Sequence, residues 1–276
     1  EHIASAPRPA ISQSSSFLDA CKAFNTGKIS KTQLINITTT KGFNNVIDAF
    51  HVVNRSNIPI EFYKKDYSSG KKQIVLTDEI FKLQEAAFAE NFPIEAEARW
   101  NLVETAWELN ISKNLLNVRY DDTSQVFYID NNFRRKDVTS ARGALNGYQK
   151  GKCFYCFDDI TVSGDNTNTC DVDHFFPHTL QPFFPSVNLD GVWNLVLTCQ
   201  RCNRGENGKF ALVPATKYLT RLHRRNEFLI SSHHPLRETI IKQTGATEAM
   251  RRSFLSSVDQ RAIDVLIHRW ETTEVA

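Results

Sequence analysis

Cys153-Phe-Tyr-Cys156 and Cys199-Gln-Arg-Cys202 form two Cys-x-x-Cys pairs. Between them run Asp171-Val-Asp173-His174 and Trp193-Asn194-Leu195, and Asn203 directly follows the last cysteine. Two thiolate pairs at this spacing suit tetrahedral Zn²⁺ with no coordination position left for water, the pattern of a structural ion. The other residues are different donors. Carboxylate and carboxamide oxygens suit Mg²⁺ or Mn²⁺, while an imidazole with an ordinary pKa of about 6.5 accepts a proton at neutral pH. One short segment therefore offers both a brace and a reaction centre.

The elements that must position these residues are read from periodicity and end signals. Thr77-Asp-Glu predicts a capped helix start. Pro93 opens a second helix, on which Ala96, Trp100, Val103 and Trp107 recur at helical spacing and leave Glu95, Arg99 and Glu108 to other faces. Those tryptophans are expected in the core rather than as a stacking platform for bases. Residues 116–120 and 125–129 predict a hairpin around 121–124. A third helix carries Val138, Ala141, Leu145 and Tyr148 on one face and ends at Gly151, just before the first cysteine pair. Beyond the second pair, 218–230, 235–244 (closed by Gly245) and 247–270 read as helices. Cys21 is expected as a small buried hydrophobe, and Cys170 as a buried strand residue or a substitute metal ligand.

With 276 residues, 41% of them apolar, the chain can fill two modest domains or one core with an appended module. No run approaches the roughly 18–20 apolar residues of a membrane span, and Glu1 to Pro9 are too polar for a signal-peptide core. A cytoplasmic protein with reduced thiols is the expectation. The net charge is only +2, yet 199–252 holds eleven Lys and Arg against four acids, whereas 78–108 holds eight acids against Lys82 and Arg99. A basic half joined to the cysteine motif favours a polyanionic partner.

The motifs CFYC, DVDHFFP and WNLVLTCQRCNRGENGK, spanning Lys152 to Lys209, resemble the HNH endonuclease family, the ββα-metal or His-Me finger nucleases, in the variant with four zinc-binding cysteines. The likeness covers about a fifth of the chain. DVDH-x-x-P followed by N-x-V-L-T and N-R-G is also similar to the HNH domain of RNA-guided CRISPR effector nucleases, which lack the cysteine pairs. The resemblance implies that His174 is the general base and that Asp173 and Asn203 hold a catalytic Mg²⁺ or Mn²⁺. It further implies that Asn194 fixes the histidine, and that Cys153, Cys156, Cys199 and Cys202 hold structural Zn²⁺. Asn203 stands where the family name has its last histidine. Arg201, Arg204 and Lys209 surround the helix start as candidate phosphate contacts, with plain surface charge the alternative.

The expected fold is α+β, with mostly helical N- and C-terminal segments around a small zinc-stabilised ββα-metal finger. Residues 1–16 are expected as an unfolded lead-in, 17–135 as a helical domain with a β-hairpin that docks a partner, 136–215 as the nuclease domain, and 216–276 as a helical segment packing on it. The expected activity is metal-dependent cleavage of double- or single-stranded DNA with little sequence preference. Targeting or regulation would come from a protein partner or fused module, as suits an effector of a bacterial defence system. Two other readings stay open: a noncatalytic zinc module that binds nucleic acid or protein, and an RNase.

Overall fold

In a computed structural model, the described residues are 4, 15–41, 47, 50–53, 56–68, 73–87, 89–108, 118–121, 126–131, 134–137, 141–162 and 169–272. Most of the expected lead-in and the hairpin loop lie outside them. The architecture is mixed helix and strand, and none of the described helices is long and apolar enough to cross a membrane. Contacts divide the chain into two units, Glu1–Ala89 and Glu90–Ala276. Residues 90–135, grouped above with the N-terminal segment, therefore cluster with the cysteine-bearing segment.

The first unit begins with helix α1, Ser15–Asn25, which buries Leu18, Ala20 and the expected Cys21 and packs on α2, Lys31–Lys41. A reciprocal cap starts α2: Gln33 Oε1 accepts the Ser30 N–H (2.8 Å), and Ser30 Oγ accepts the Gln33 N–H (3.3 Å). Two antiparallel hairpins follow, β1 (Val52–Val53) with β2 (Ser56–Asn57) and β3 (Tyr63–Asp66) with β4 (Gln73–Leu76). Helix α3, Asp78–Glu85, starts where expected with two acids in its first turn. The Thr77 hydroxyl does not cap it but donates to the Glu61 carbonyl (2.6 Å).

The second unit opens with α4, Asn91–Glu108, followed by an antiparallel sheet in the order β5 (Val118–Asp121), β6 (Val126–Asn131), β7 (Arg134–Asp137). The hairpin was legible; the third strand was not, because Arg-Arg-Lys-Asp carries no apolar alternation. Helix α5, Ala141–Gln149, leads into the first cysteine pair. Strand β8 (Asp171–His174) then pairs antiparallel with β9 (Leu195–Thr198), and short helix α6 (Gln200–Arg204) packs on β8. Strand β10 (Val213–Pro214) and helices α7 (Thr216–Ser231), α8 (Arg237–Thr244) and α9 (Glu248–Leu266) complete the unit with β11 (Arg269–Trp270). Phe175, Phe176, Trp193 and all of β9 except Thr198 form the middle of the apolar core. Burying each such side chain stabilises the fold by about 1.5–3 kcal/mol.

Two sequence expectations are corrected. Helix α4 turns Asn91, Glu95, Ala98, Leu102 and Ala106 inward, leaving Ala96 exposed, Trp100 41% exposed and Trp107 half-buried. The partner helix decides this: α5 approaches so closely that a Cβ at Gly143 would lie 2.9 Å from Ala98 Cβ, so α4 presents a small residue there. Glu95 is tolerated inside because Arg99 (2.5 Å) and Lys150 (2.7 Å) neutralise it. The last helix, expected to reach Trp270, ends at Leu266. Ile267 takes a left-handed φ of 53°, and Arg269–Trp270 pairs in parallel with Val213–Pro214.

Candidate active site

The four cysteines of the two pairs converge. Their sulfurs lie within 4.8 Å of one another and none is in a disulfide. The first pair sits on a tight turn in which Cys153 donates its N–H to Asp158 O (2.8 Å), Phe157 donates to Cys153 O (3.1 Å), and Phe157 has φ 66°. Arg221 of α7 holds this turn from behind, donating to the Phe154 and Tyr155 carbonyls and lying 4.0 Å over the Phe157 ring. The second pair begins α6: Cys199 Sγ accepts the Cys202 N–H (3.5 Å), and the Cys199 N–H points at Cys153 Sγ (3.3 Å).

The Cys156–Cys199 sulfur separation of 3.7 Å is far beyond a covalent S–S bond. It matches the edge of about 3.8 Å expected for a tetrahedron with Zn–S bonds of about 2.3 Å. Hydrogen bonds from Cys153 and Cys202 hold the Cys199 thiol far below its ordinary range, while hydrogen bonding with Cys199 pushes Cys153 up to about 12, and with Cys153 and Cys199 pushes Cys202 far up. Four thiolates cannot coexist there unless a cation shares their charge. The donor set fits zinc. Cys170 is buried in the core as expected, and burial raises its thiol to about 11.

Between the pairs, β8 separates its residues by alternation. Residues 171–174 stay in register with 198–195 through His174, so no bend turns Asp173 toward the histidine side. Asp173 is buried: Tyr155 donates to its Oδ2 (2.6 Å) and Lys209 to its Oδ1 (2.8 Å). Desolvation, reinforced by the Asp173 charge, keeps the Tyr155 phenol well above its ordinary range, hence protonated and donating. Lys209 also donates to the carbonyls of His174 (2.8 Å) and Phe210 (3.3 Å) and is completely buried. The expected phosphate contact at Lys209 is thereby corrected: a chain that returns over the sheet carries this ammonium inside, where it neutralises Asp173. The expectation of Asp173 as a metal ligand meets the same obstacle, since both of its oxygens are taken.

On the other side of β8, His174 is 5% exposed, and its Nε2 lies 3.1 Å from Asp190 Oδ1. His178 Nδ1 meets the same oxygen at 2.6 Å and is half exposed. Burial alone would raise the Asp190 carboxyl, but hydrogen bonds and charge from the two imidazoles outweigh it and hold the group below the ordinary carboxylate range. Asp190 is therefore a pure acceptor at neutral pH, and Nε2 of His174 carries the proton it receives.

The loop that delivers Asp190 is built from three side-chain amides. Gln181 donates to the Phe184 (3.0 Å) and Val187 (2.8 Å) carbonyls and accepts from Leu189 N–H (2.9 Å). Asn188 Oδ1 accepts the Asp190 N–H (3.0 Å), and its carbonyl accepts Trp193 Nε1–H (3.1 Å). Asn194, fully buried, accepts from Phe176 N–H (2.9 Å) and donates to the Phe176 (2.9 Å) and Leu189 (2.8 Å) carbonyls. It thus ties the backbone two residues past His174 to the residue before Asp190. Gly191 follows because a Cβ there would lie 2.8 Å from both the Trp193 ring and Gln243.

Asn203 and Arg204 face the remaining carboxylate of β8. Asn203 Nδ2 donates to Asp171 Oδ2 (3.0 Å), and Arg204 donates to both Asp171 oxygens (2.9 and 3.3 Å). Arg201 pairs with Asp158 (2.5 Å), joining α6 to the first cysteine turn. Arg201 and Arg204 remain about half exposed. Much of the basic C-terminal half is internally matched as well: Arg251 with Glu227, Arg252 with Glu248, and Arg269 with Asp259.

Two residues absent from the sequence reading stand out, Asp190 and His178. The His174-x-x-x-His178 spacing was a visible signal; Asp190 had none, because a sixteen-residue separation says nothing until the loop closes. No protein-family model matches this sequence, and neither a curated protein nor a solved structure matches it.

Proposed function

We propose that the second unit is a phosphodiesterase of the HNH, ββα-metal type, in which His174 deprotonates the attacking water. One observation carries this reading: His174, held through Nε2 by Asp190, stands on a strand–strand–helix segment closed by four convergent cysteines. The order β8–β9–α6 and the two-way hydrogen bonding of Asn194 support the resemblance noted in the sequence.

In this reading a water oxygen attacks phosphorus, its proton passes to the His174 imidazole, and the P–O bond to the sugar breaks. The departing alkoxide takes a proton from solvent. Asp190 stabilises the imidazolium that forms, and Asn194 keeps the loop in place while it does. Bound Mg²⁺ or Mn²⁺ would neutralise charge on the scissile phosphate. The resemblance would place it on Asp173 and Asn203, but Asp173 is closed by Tyr155 and Lys209, and neighbouring Asp171 by Asn203 and Arg204, so neither carboxylate of β8 stands open to it. Arg201 and Arg204 are the basic side chains placed to meet a nucleic-acid backbone, and the cysteines would hold structural zinc.

The test is cleavage of duplex DNA, single-stranded DNA and RNA in parallel with Mg²⁺ or Mn²⁺. His174→Ala should lower the rate by roughly 10²–10⁴-fold. Equal cutting by wild type and variant refutes the base, and the preferred substrate separates DNase from RNase. A noncatalytic binding module is favoured by one feature, the closure of Asp173 by Tyr155 and Lys209. Retained nucleic-acid binding with no cleavage of any substrate would establish it. A role in bacterial defence, with targeting by a partner, remains part of the proposal; infection assays with His174→Ala would test it.

A further inference from the structure

We propose that His174, His178 and Asp190 form a second transition-metal site, separate from the cysteine cluster, whose occupation silences His174 as a base. Their three ligand atoms lie within 4.8 Å of one another, with Asp190 Oδ1 at 3.1 Å from one imidazole nitrogen and 2.6 Å from the other. A tetrahedral ion with metal–ligand distances of about 2.0–2.2 Å needs ligand separations of about 3.3–3.6 Å. Movements of well under an ångström on each side chain supply that.

The donors select the metal. Two imidazoles and one carboxylate favour Zn²⁺, Co²⁺, Ni²⁺ or Cu²⁺ over Mg²⁺, which prefers oxygen alone. The carboxylate is held from outside, through the Asp190 N–H on Asn188 and the Leu189 backbone on Gln181 and Asn194. Such support is what keeps ligands in place when an ion enters. His178 is half exposed, which gives an entry path, and three protein ligands leave a fourth position for water.

Binding relocates the ring protons of the histidines without net release from the neutral forms. When Nε2 of His174 gives its lone pair to the ion, the proton moves to Nδ1; His178 shifts its proton from Nδ1 to Nε2. His174 then presents a donor where hydrolysis needs an acceptor. The binding claim stands alone, whereas the silencing rests on the hydrolytic reading above.

The test uses the full chain, dialysed against a weak chelator until one zinc per molecule remains, then titrated with Co²⁺ by calorimetry and visible absorption. One further equivalent should bind, giving ligand-field bands without added sulfur-to-cobalt charge transfer. His178→Ala and Asp190→Asn should each weaken it by roughly tenfold or more while keeping the zinc and the wild-type circular dichroism. Absence of a second equivalent, or unchanged affinity in both variants, overturns the site. Added Co²⁺ should also slow Mg²⁺-supported cleavage by wild type, with the slowing relieved in proportion to the lost affinity in His178→Ala. A bound ion that leaves cleavage untouched refutes the base role of His174 and not the site; a missing equivalent refutes the site and not the base.

Discussion

The two faces of β8 carry acids and bases of the same kinds and use them in opposite ways. On one face Asp173 is enclosed by a phenol and an ammonium, with Lys209 completely buried. On the other, Asp190 meets two imidazoles, one of them half exposed. Neighbours in a motif, Asp173 and His174, thus end in a closed structural ion pair and an open acid–imidazole cluster. A motif identifies residues, but strand alternation and the returning chain decide which can meet a ligand.

The strongest way to break this contrast is to remove what clamps both faces. Cys156→Ser should abolish stoichiometric zinc and the cooperative unfolding of the second unit, because structural zinc sites supply on the order of 10 kcal/mol of folding free energy. Metal analysis with thermal unfolding would show it, and an unchanged transition would mean the sulfurs hold nothing. Next in size is Lys209→Met, which strands a buried carboxylate and should cost about 3–5 kcal/mol in denaturant unfolding. Weakened nucleic-acid binding at full stability would instead restore the surface role first expected of this lysine.

A third histidine sharpens the comparison, since it is buried with neutral partners only. His234 donates Nε2–H to Ala144 O (3.2 Å) and accepts the Leu236 N–H (3.1 Å) at Nδ1. Burial, aided by the nearby Arg99 charge, lowers its pKa to about 3. The unfolded value is about 6.5, so between the two the unfolded chain holds a proton that the folded chain does not. Its contribution is complete above about pH 6.5 and is lost as pH falls toward the folded value, with a slope no steeper than about 1.4 kcal/mol per pH unit. His234→Gln should flatten unfolding free energy across that window. The smallest effect belongs to the open face: Asp190→Asn should cost only about 0.5–1.5 kcal/mol, the range for one hydrogen-bonded group. A loss as large as that of Lys209→Met would erase the distinction between the faces.

What could be read in advance follows from range along the chain. The cysteine pairs, the hairpin, α5 with its end at Gly151, and Gly245 with φ 133° are local patterns, and each is where the residues indicated. The site's assembly is long-range. Asp190 reaches His174 only because Gln181, Asn188 and Asn194 fold the intervening loop, and Lys209 is inside only because the chain doubles back across β8. Helix α4 shows the same limit in the fold. The stripe of Trp100 and Trp107 was the one read from the sequence, and the close approach of Gly143 to Ala98 turned the face of Ala98, Leu102 and Ala106 inward instead.

The short parallel ladder between β10 and β11 makes the far end of the chain a mechanical handle. Trp270 stands edge-on to Tyr155 with ring centres 5.0 Å apart, and its indole N–H holds the Asn207 carbonyl (2.8 Å). Tyr155 in turn grips Asp173. A pull on β11, whether from an attached polypeptide or a bound partner, would therefore arrive one aromatic ring later at the strand that carries His174.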